Sequence, residues 1–237
     1  MTRIIAATLT ATLALAGCDA FPGRPRPDAR ELAPTEVMAF ETLYAGNCAG
    51  CHGETGRLGA ARALNDAVYL AVVPPERVRQ VIAAGIPGTA QPAFAQSAGG
   101  PLTDRQIEVL AKGIRERWQR PDVVAGYRVP PYDGRETGDV DRGRTVFATA
   151  CARCHEADGR GGPKGGGVAD PSYLALVSDQ HLRTLTITGM PVLGAPDWRG
   201  DVPGKAMSDA DVTDVVAWLA AQRPPLSAQS NHPGGSE

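Results

Sequence analysis

The sequence predicts an all-α protein in which one small helical domain occurs twice in tandem, and three observations support this prediction. A five-residue pattern, C-x-x-C-H, occurs at residues 48–52 and again at 151–155. Apolar residues recur at helical spacing before and after each copy of the pattern. The segments that flank the two copies also follow the same order, so one domain plan accounts for most of the 237 residues.

The repeated pattern is the c-type haem attachment signature, and its spacing has a chemical reason. Two thiols separated by two residues on a tight turn can each form a thioether with one vinyl group of the same porphyrin. The histidine that follows is carried beneath the ring, where its imidazole binds the iron. We therefore expect two covalently bound haem c groups. The attachment residues are Cys48, Cys51, Cys151 and Cys154, and the proximal iron ligands are His52 and His155.

Other kinds of site also use closely spaced cysteines, among them zinc sites, thioredoxin-like dithiols and simple disulfides. Neither a tetrathiolate zinc site nor a local disulfide explains a histidine directly after each pair. The flanking segments lack the strands that a thioredoxin-like unit requires. The full five-residue pattern in both copies therefore favours haem.

The composition limits what a protein-only core can supply. Aromatic residues make up only 5% of the chain, which also contains 28 Gly and 20 Pro. Two buried porphyrins would offset this, because each offers a large flat apolar surface for side chains to close around. The formal net charge of −2 argues against electrostatic attraction to nucleic acid.

The amino terminus has the form of a bacterial export signal. Arg3 precedes an apolar run at 4–16 that is too short to span a bilayer, which is typical of a signal peptide. The run ends in the sequence LAGC at 15–18, which resembles the lipobox of bacterial lipoproteins. That resemblance implies that Cys18 is lipidated and becomes the first residue of the mature protein. The alternative is an ordinary secretory signal in which Cys18 is incidental.

Composition shifts along the chain predict its domain boundaries. Segments rich in Pro, Gly and polar residues separate the two periodic regions and follow the second one. The predicted segments are a signal peptide at 1–17, lipidated Cys18 with a flexible tether at 18–34, a first domain at 35–119, a linker at 120–138, a second domain at 139–223 and a disordered tail at 224–237.

The first domain is predicted to begin with a helix at 35–45 that carries Val37, Phe40 and Tyr44 on one face. A short segment at 66–73 and a helix at 75–84 follow the haem signature. Thr103 and Gln106 then have the form of a capping box. The last helix after this box has an apolar stripe formed by Ile107, Leu110, Ala111, Ile114 and Trp118.

The second domain repeats this plan. Val140, Gly143 and Phe147 lie on one face of the helix before its signature, a short segment follows at 170–177, and a helix is predicted at 179–188. The last helix begins at Ser208, and its apolar stripe consists of Val212, Val215, Val216 and Leu219.

The pairing of an aromatic-bearing first helix with an apolar last helix around C-x-x-C-H resembles class I cytochrome c. The resemblance covers residues 35–118 and 139–223. It implies two tandem class I cytochrome c-like domains, each formed by a few helices wrapped around one covalently bound haem. It also implies that the two terminal helices of each domain cross and pack beside that haem.

In that family a methionine before a proline usually completes the iron coordination. The loops at 85–94 and 189–198 match each other without a gap, but the residue in question is Gln91 in the first and Ala195 in the second. Gln91 is the best internal distal candidate for the first haem, by analogy with glutamine in copper sites. Water and an empty position are the alternatives.

For the second haem, Ala195 cannot coordinate iron. Met190 lies five residues earlier and could bind if the loop rearranged. Its alternative role is to pack against the haem edge. Met207 is a weaker candidate, because it directly precedes the cap of the last helix and suits a hydrophobic staple. An open or water-bound position is the remaining alternative.

The expected function is that of a membrane-anchored periplasmic dihaem cytochrome c, which carries single electrons between respiratory or dehydrogenase partners. Asp19 after Cys18 resembles a signal for retention on the inner membrane. The chain itself is expected to be an electron-transfer protein rather than an enzyme, with a role as accessory subunit of an oxidoreductase complex left open. The alternative is a haem enzyme or gas-binding sensor with open axial positions, which the absence of methionine at Gln91 and Ala195 favours. Against it, neither loop offers a distal histidine or arginine.

Overall fold

The computed structural model describes residues 31–134, 137–200 and 205–224. The predicted signal peptide, the lipidated Cys18, most of the tether and residues 225–237 of the predicted tail lie outside these ranges. The chain separates into two compact units, Met1–Val37 and Met38–Glu237. In the described part of the first unit, a single 3₁₀ turn spans Pro34–Glu36.

The second unit begins with a first helix set that surrounds the first signature. Its α-helices are α1 (Phe40–Asn47), α2 (Ala49–His52), α3 (Ala67–Val72), α4 (Pro75–Ala84) and α5 (Asp104–Trp118). The predicted start of the first helix at residue 35 is wrong. Val37 and Ala39 have extended backbone, so they interrupt the helix, which begins at Phe40.

A second helix set surrounds the second signature in the same order. Its α-helices are α6 (Val140–Ala150), α7 (Ala152–His155), α8 (Pro171–Leu176), α9 (Asp179–Thr188) and α10 (Asp209–Ala220). Within the described ranges the regular structure is helical, with isolated β-bridges and no strand. The predicted all-α fold is confirmed. No helix in those ranges is both long and apolar enough to cross a membrane.

Side-chain caps explain why the helices begin where they do. Thr103 and Gln106 form the predicted capping box of α5, and Ser208 forms one with Asp211 at the start of α10. Asp66 and Asp170 accept backbone N–H bonds at the starts of α3 and α8. Each such cap contributes about 1 kcal/mol, because it satisfies backbone donors that the helix itself leaves unpaired.

The terminal helices of the first set pack through an aromatic cluster. Phe40 stacks on Tyr44 with ring centroids 5.5 Å apart, and the edge of Trp118 meets Tyr44 at 5.3 Å. Gly113 of α5 lies directly beneath the Phe40 ring, where a Cβ atom would clash. Helices α1 and α5 therefore cross closely, as the resemblance to class I cytochrome c implies.

The terminal helices of the second set approach even more closely. A Cβ atom on Gly143 would overlap the carbonyl oxygen of Asp214, and Phe147 lies 4.3 Å from Trp218 between ring centroids. The buried carboxylate of Asp214 accepts hydrogen bonds from the backbone N–H of Asp139 and from the Arg142 guanidinium. These contacts join the beginning of α6 to the middle of α10.

The segment that connects the two sets packs against both of them. It contains a 3₁₀ turn, Pro121–Val124, and its apolar side chains lie on a cluster of buried residues from both helix sets. The cluster consists of Val68, Ile187, Trp198 and Val212, and the partly buried side chains against it are Val72, Val123, Val124, Val129 and Met207. Val123, Val124 and Val129 of the connecting segment therefore extend a core that both helix sets share.

Candidate haem sites

Each C-x-x-C-H signature forms one tight helical turn directly after a longer helix. In the first, the backbone N–H groups of Cys51 and His52 both donate to the carbonyl of Cys48, at 3.2 and 3.0 Å. In the second, Cys154 and His155 donate to the carbonyl of Cys151, both at 3.1 Å. The two thiols and the imidazole of each signature thus share a single turn, as their spacing predicts.

The four cysteines of the two signatures lie in different environments. Cys48 is buried and Cys51 exposed, whereas Cys151 and Cys154 are partly buried. Before haem is attached, burial, with a smaller contribution from the neighbouring cysteine, raises the pKa of the Cys48 thiol to about 11 and that of the Cys151 thiol to about 11. Within the described ranges, no three His, Cys, Asp or Glu side chains come together as they would in a zinc site.

The imidazoles of the two signatures are oriented by the same device. Nδ1 of His52 lies 2.7 Å from the carbonyl oxygen of Arg62, and Nδ1 of His155 lies 2.7 Å from that of Gly166. Because a carbonyl can only accept, Nδ1 carries the proton in both rings and Nε2 keeps its lone pair. A metal-binding histidine typically has this arrangement, which fixes the tautomer and ring orientation. The residues present therefore fit an axially bound haem at each signature.

The loops after the signatures bring these carbonyls into place. In the first, the backbone N–H of Ala61 donates to the carbonyl of Cys51 at 2.8 Å, and a Cβ atom on Gly53 would overlap the carbonyl of Arg57. Gly53 has φ +80°, which glycine adopts without strain. In the second loop the corresponding residue is Glu156, with φ +61° and ψ 164°, a region of backbone space that other residues avoid.

The side chain of Gln91 is bonded within its own loop. Its Nε2 donates to the carbonyl of Pro92 at 3.3 Å, and its main-chain carbonyl accepts from Ile86 at 3.1 Å. The residue is partly buried. Gln91 occupies the position expected for methionine, and its loop is closed by a hydrogen bond between main-chain groups of the loop itself.

Met190 and Ala195 face each other across a short turn in the corresponding loop of the second set. Their backbones exchange N–H···O bonds of 3.1 and 3.2 Å around the 3₁₀ turn Pro191–Leu193. Met190 also lines a cavity of about 280 Å³ whose other walls include Arg62 and Asp66. The loop therefore meets the first helix set, which the sequence did not predict. Met207 packs on the shared core, as expected of a staple.

Arg62 is the site residue that sequence reasoning missed. Its Nη2 lies 3.3 Å from a carboxylate oxygen of Asp66 and donates to the hydroxyl of Thr188 at 2.5 Å. Its guanidinium also lies over the ring of Tyr69, 4.4 Å from the centroid. An arginine in a Gly- and Ala-rich loop gives no local sign of burial, and its partner Thr188 lies 126 residues away.

Comparison with known families matches each signature-bearing half of the chain separately. Residues 140–222 match the family described as Cytochrome c. Residues 35–112 match Cytochrome C oxidase, cbb3-type, subunit III. The match at 140–222 contains the second helix set, and the match at 35–112 contains the first set up to the middle of α5.

Two curated relatives share the same description, Cbb3-type cytochrome c oxidase subunit FixP. The protein of Sinorhizobium medicae (strain WSM419) is 29% identical over 155 residues, which are 61% of this chain and 48% of the relative. That of Bradyrhizobium sp. (strain ORS 278) is 30% identical over 169 residues, which are 68% and 53%. The chain spans about half the length of the curated relatives it matches.

A solved structure with partial similarity belongs to the reducing HAO-like protein complex of Kuenenia stuttgartiensis. The match has 14% identity and a TM-score of 0.49, and it covers 82% of this chain and 100% of that one. A likeness this distant has no bearing on fold or function.

Proposed function

Starting from a chain that consists of two tandem c-type cytochrome domains with two covalently bound haem c groups, we propose that it is a periplasmic electron carrier. Single electrons pass through it between respiratory or dehydrogenase partners. Haem c supplies an iron centre that gains or loses one electron. The chain itself would therefore make and break no bonds in a substrate.

In this proposal the two signatures hold the cofactors. Cys48 and Cys51 bind the first porphyrin, and Cys151 and Cys154 bind the second. His52 and His155 bind the irons through Nε2. The observation that carries the proposal is that both histidines already donate Nδ1–H to a backbone carbonyl at 2.7 Å. That bond makes Nε2 a stronger donor and holds the ring in one orientation.

The remaining residues of each domain bury and position the cofactor. The crossing of α1 with α5, and of α6 with α10, supplies the apolar packing that a domain with few aromatic residues otherwise lacks. The shared core around Val68 and Trp198 fixes one domain against the other. Fixed spacing matters for a relay, because electron transfer between two centres depends on their separation.

For the distal side we propose Gln91 as a direct or water-mediated partner of the first haem. Met190 is proposed for the second haem, and it requires the turn that pairs it with Ala195 to open. Since methionine–histidine ligation raises the reduction potential, the glutamine in the first domain lowers the potential of that haem relative to one with methionine.

The location is proposed from the amino terminus and from the relatives. Lipidated Cys18 and the tether at 18–34 hold the two domains on the periplasmic side of a bacterial membrane. Asp19, which resembles a retention signal, favours the inner membrane. Its partners are membrane-bound or periplasmic redox proteins and not nucleic acids. The relatives' description as an oxidase subunit supports a place beside a membrane oxidoreductase.

The test is intact-mass analysis of protein matured in a host that attaches haem c. We expect two haems on the wild-type chain and one on each double variant, Cys48→Ala/Cys51→Ala or Cys151→Ala/Cys154→Ala. Potentiometric titration of the wild type should then show two one-electron steps. A chain with no haem or one haem overturns the assignment. Release of the Cys18→Ser variant from the membrane fraction tests the anchor separately.

A haem enzyme or gas-binding sensor is the second candidate, and the distal loops favour it. Ala195 offers no ligand, and one end of the Gln91 amide, Nε2, donates to the carbonyl of Pro92. Carbon monoxide added to the reduced protein separates the two functions. Rapid, tight binding at both haems supports the second candidate, whereas an unchanged spectrum removes it.

A further inference from the structure

Arg62 contacts both cytochrome domains, one through its main chain and the other through its side chain. Its carbonyl oxygen accepts the Nδ1–H of His52 at 2.7 Å, inside the first domain. Its guanidinium donates to the hydroxyl of Thr188 at 2.5 Å, in the second domain. One residue therefore touches the proposed iron ligand of the first haem and the structure around the second.

The guanidinium is a largely buried cation with an incomplete set of partners. The side chain is 18% exposed, and Asp66 is the carboxylate paired with it in the described structure. Its Nε and Nη1 atoms are buried and have no hydrogen-bond partner there. The Arg62 side chain, which carries these two atoms, lines the cavity of about 280 Å³ beside Met190. A charge in such a place acts over a longer range than one in water, because solvent screens it less.

On the other side of this contact, Thr188 is the last residue of α9 and is fully buried. Its hydroxyl donates to the carbonyl of Thr184 at 2.7 Å while it accepts from Arg62. Gly189 follows with φ +61° and begins the loop that contains Met190 and Ala195. Arg62 thus binds Thr188, the residue that directly precedes the proposed distal loop of the second haem.

We propose that Arg62 is a positioning residue shared by the two haem centres. Its guanidinium fixes the distal loop of the second domain against the loop that orients His52, and its buried charge raises the reduction potential of both haems. This inference rests on the proposed electron-transfer function. The direction follows from electrostatics, since a nearby cation favours the less positive, reduced iron.

The side chain can be changed without disturbing the bond to His52, because any residue at position 62 keeps its carbonyl. Arg62→Met removes the charge and the hydrogen bond to Thr188 but keeps a side chain of similar length. Arg62→Lys keeps the charge. Thr188→Val keeps the arginine and removes its acceptor. Arg57→Met is the matched control, since Arg57 lines the same cavity but is exposed and donates to the carbonyl of Asn65 within its own domain.

The experiment uses full-length holoprotein whose mass already shows two haems, so that failure of haem attachment is recognised before the inference is tested. Potentiometric titration then measures both haems in each variant. We expect Arg62→Met to lower both potentials, Arg62→Lys to restore most of the loss, and Arg57→Met to stay near wild type. Thr188→Val should leave the first potential unchanged and speed amide hydrogen exchange at 189–195.

Equal shifts in Arg62→Met and Arg57→Met would overturn the inference, as would a shift confined to one haem. If Arg62→Met does not fold, Thr188→Val decides the positioning role through hydrogen exchange, and Arg62→Lys measures the charge. Unchanged exchange at 189–195 in Thr188→Val contradicts the proposed hold on the distal loop.

Discussion

A Cβ atom on Gly143 would overlap the carbonyl oxygen of Asp214, and this contact sets how closely α6 and α10 cross. Gly143→Ala should therefore destabilise the protein by about 1–3 kcal/mol, the usual cost of overpacking a fitted interface. Urea unfolding of the holoprotein measures the change.

The matched control for that substitution is Gly46→Ala in α1. Nothing lies within 4 Å of a Cβ atom built on Gly46, so alanine there should stabilise the helix by about 0.5–1 kcal/mol. If the two substitutions changed the free energy of unfolding in the same direction, the close crossing at Gly143 would not be the cause.

Glu156 directly follows the second signature and has a positive φ of 61°, at the position that glycine occupies in the first domain. Strain of this kind costs about 1–3 kcal/mol, and glycine would relieve it. Glycine also increases the conformational entropy of the unfolded chain, which offsets part of that gain. Glu156→Gly should therefore stabilise the protein by about 1 kcal/mol, measured by thermal unfolding.

Glu54→Gly is the control, because Glu54 is an exposed residue beside the first signature and has no positive φ. Glycine there should be neutral or destabilising. A loss of stability in Glu156→Gly would show that the left-handed backbone at this residue is not strained.

Tyr44 predicts a specific loss of stability at high pH. Burial is the main cause of the rise in the pKa of Tyr44 to about 12 from an ordinary value of about 10. Because the folded state favours the neutral phenol, its contribution is complete below about pH 10 and is lost as pH rises through about 12. Ultraviolet absorbance of tyrosinate and urea unfolding across this range measure the two effects.

Tyr44→Phe keeps the ring stack with Phe40 but leaves the carbonyl of Gly53, which accepts the Tyr44 hydroxyl at 2.9 Å, without that donor. We expect a cost of about 1 kcal/mol at neutral pH and a shallower decline above pH 10. Parallel curves for the variant and the wild type would rule out Tyr44 as the source of the alkaline loss.

Arg183 should be required for holding the connecting segment in place. It is 3% exposed, and its guanidinium donates to the carbonyls of Pro131 and Tyr132 and to the hydroxyl of Thr213. Arg183→Met leaves these exposed or partly buried acceptors without their donor, at about 1–3 kcal/mol for each one that water does not reach. We expect a loss of about 3 kcal/mol in urea unfolding and faster proteolysis near residues 129–134.

Thr213→Val removes only one of those acceptors and should cost about 1 kcal/mol, without added proteolysis of the segment. Equal effects of the two variants would mean that the contact with the connecting segment contributes little.

Local patterns located most of the helices. The predicted helices at 75–84 and 179–188 match α4 and α9 residue for residue, and the capping box at Thr103 was found from four residues of sequence. These features depend on neighbours within one or two turns. The start of α1 was misplaced because Val37 has the right period for the helix face, but the chain is extended there.

By itself, the sequence determined that two helical domains follow one another, each with two thiols and an imidazole on a single turn, because that information is carried within five residues. Only the tertiary structure decided which carbonyl orients each imidazole, how the connecting segment enters a shared core, and that Arg62 reaches Thr188. Those relationships join residues far apart in the chain, and their energies come from burial and hydrogen bonds that exist only after the two domains have packed together.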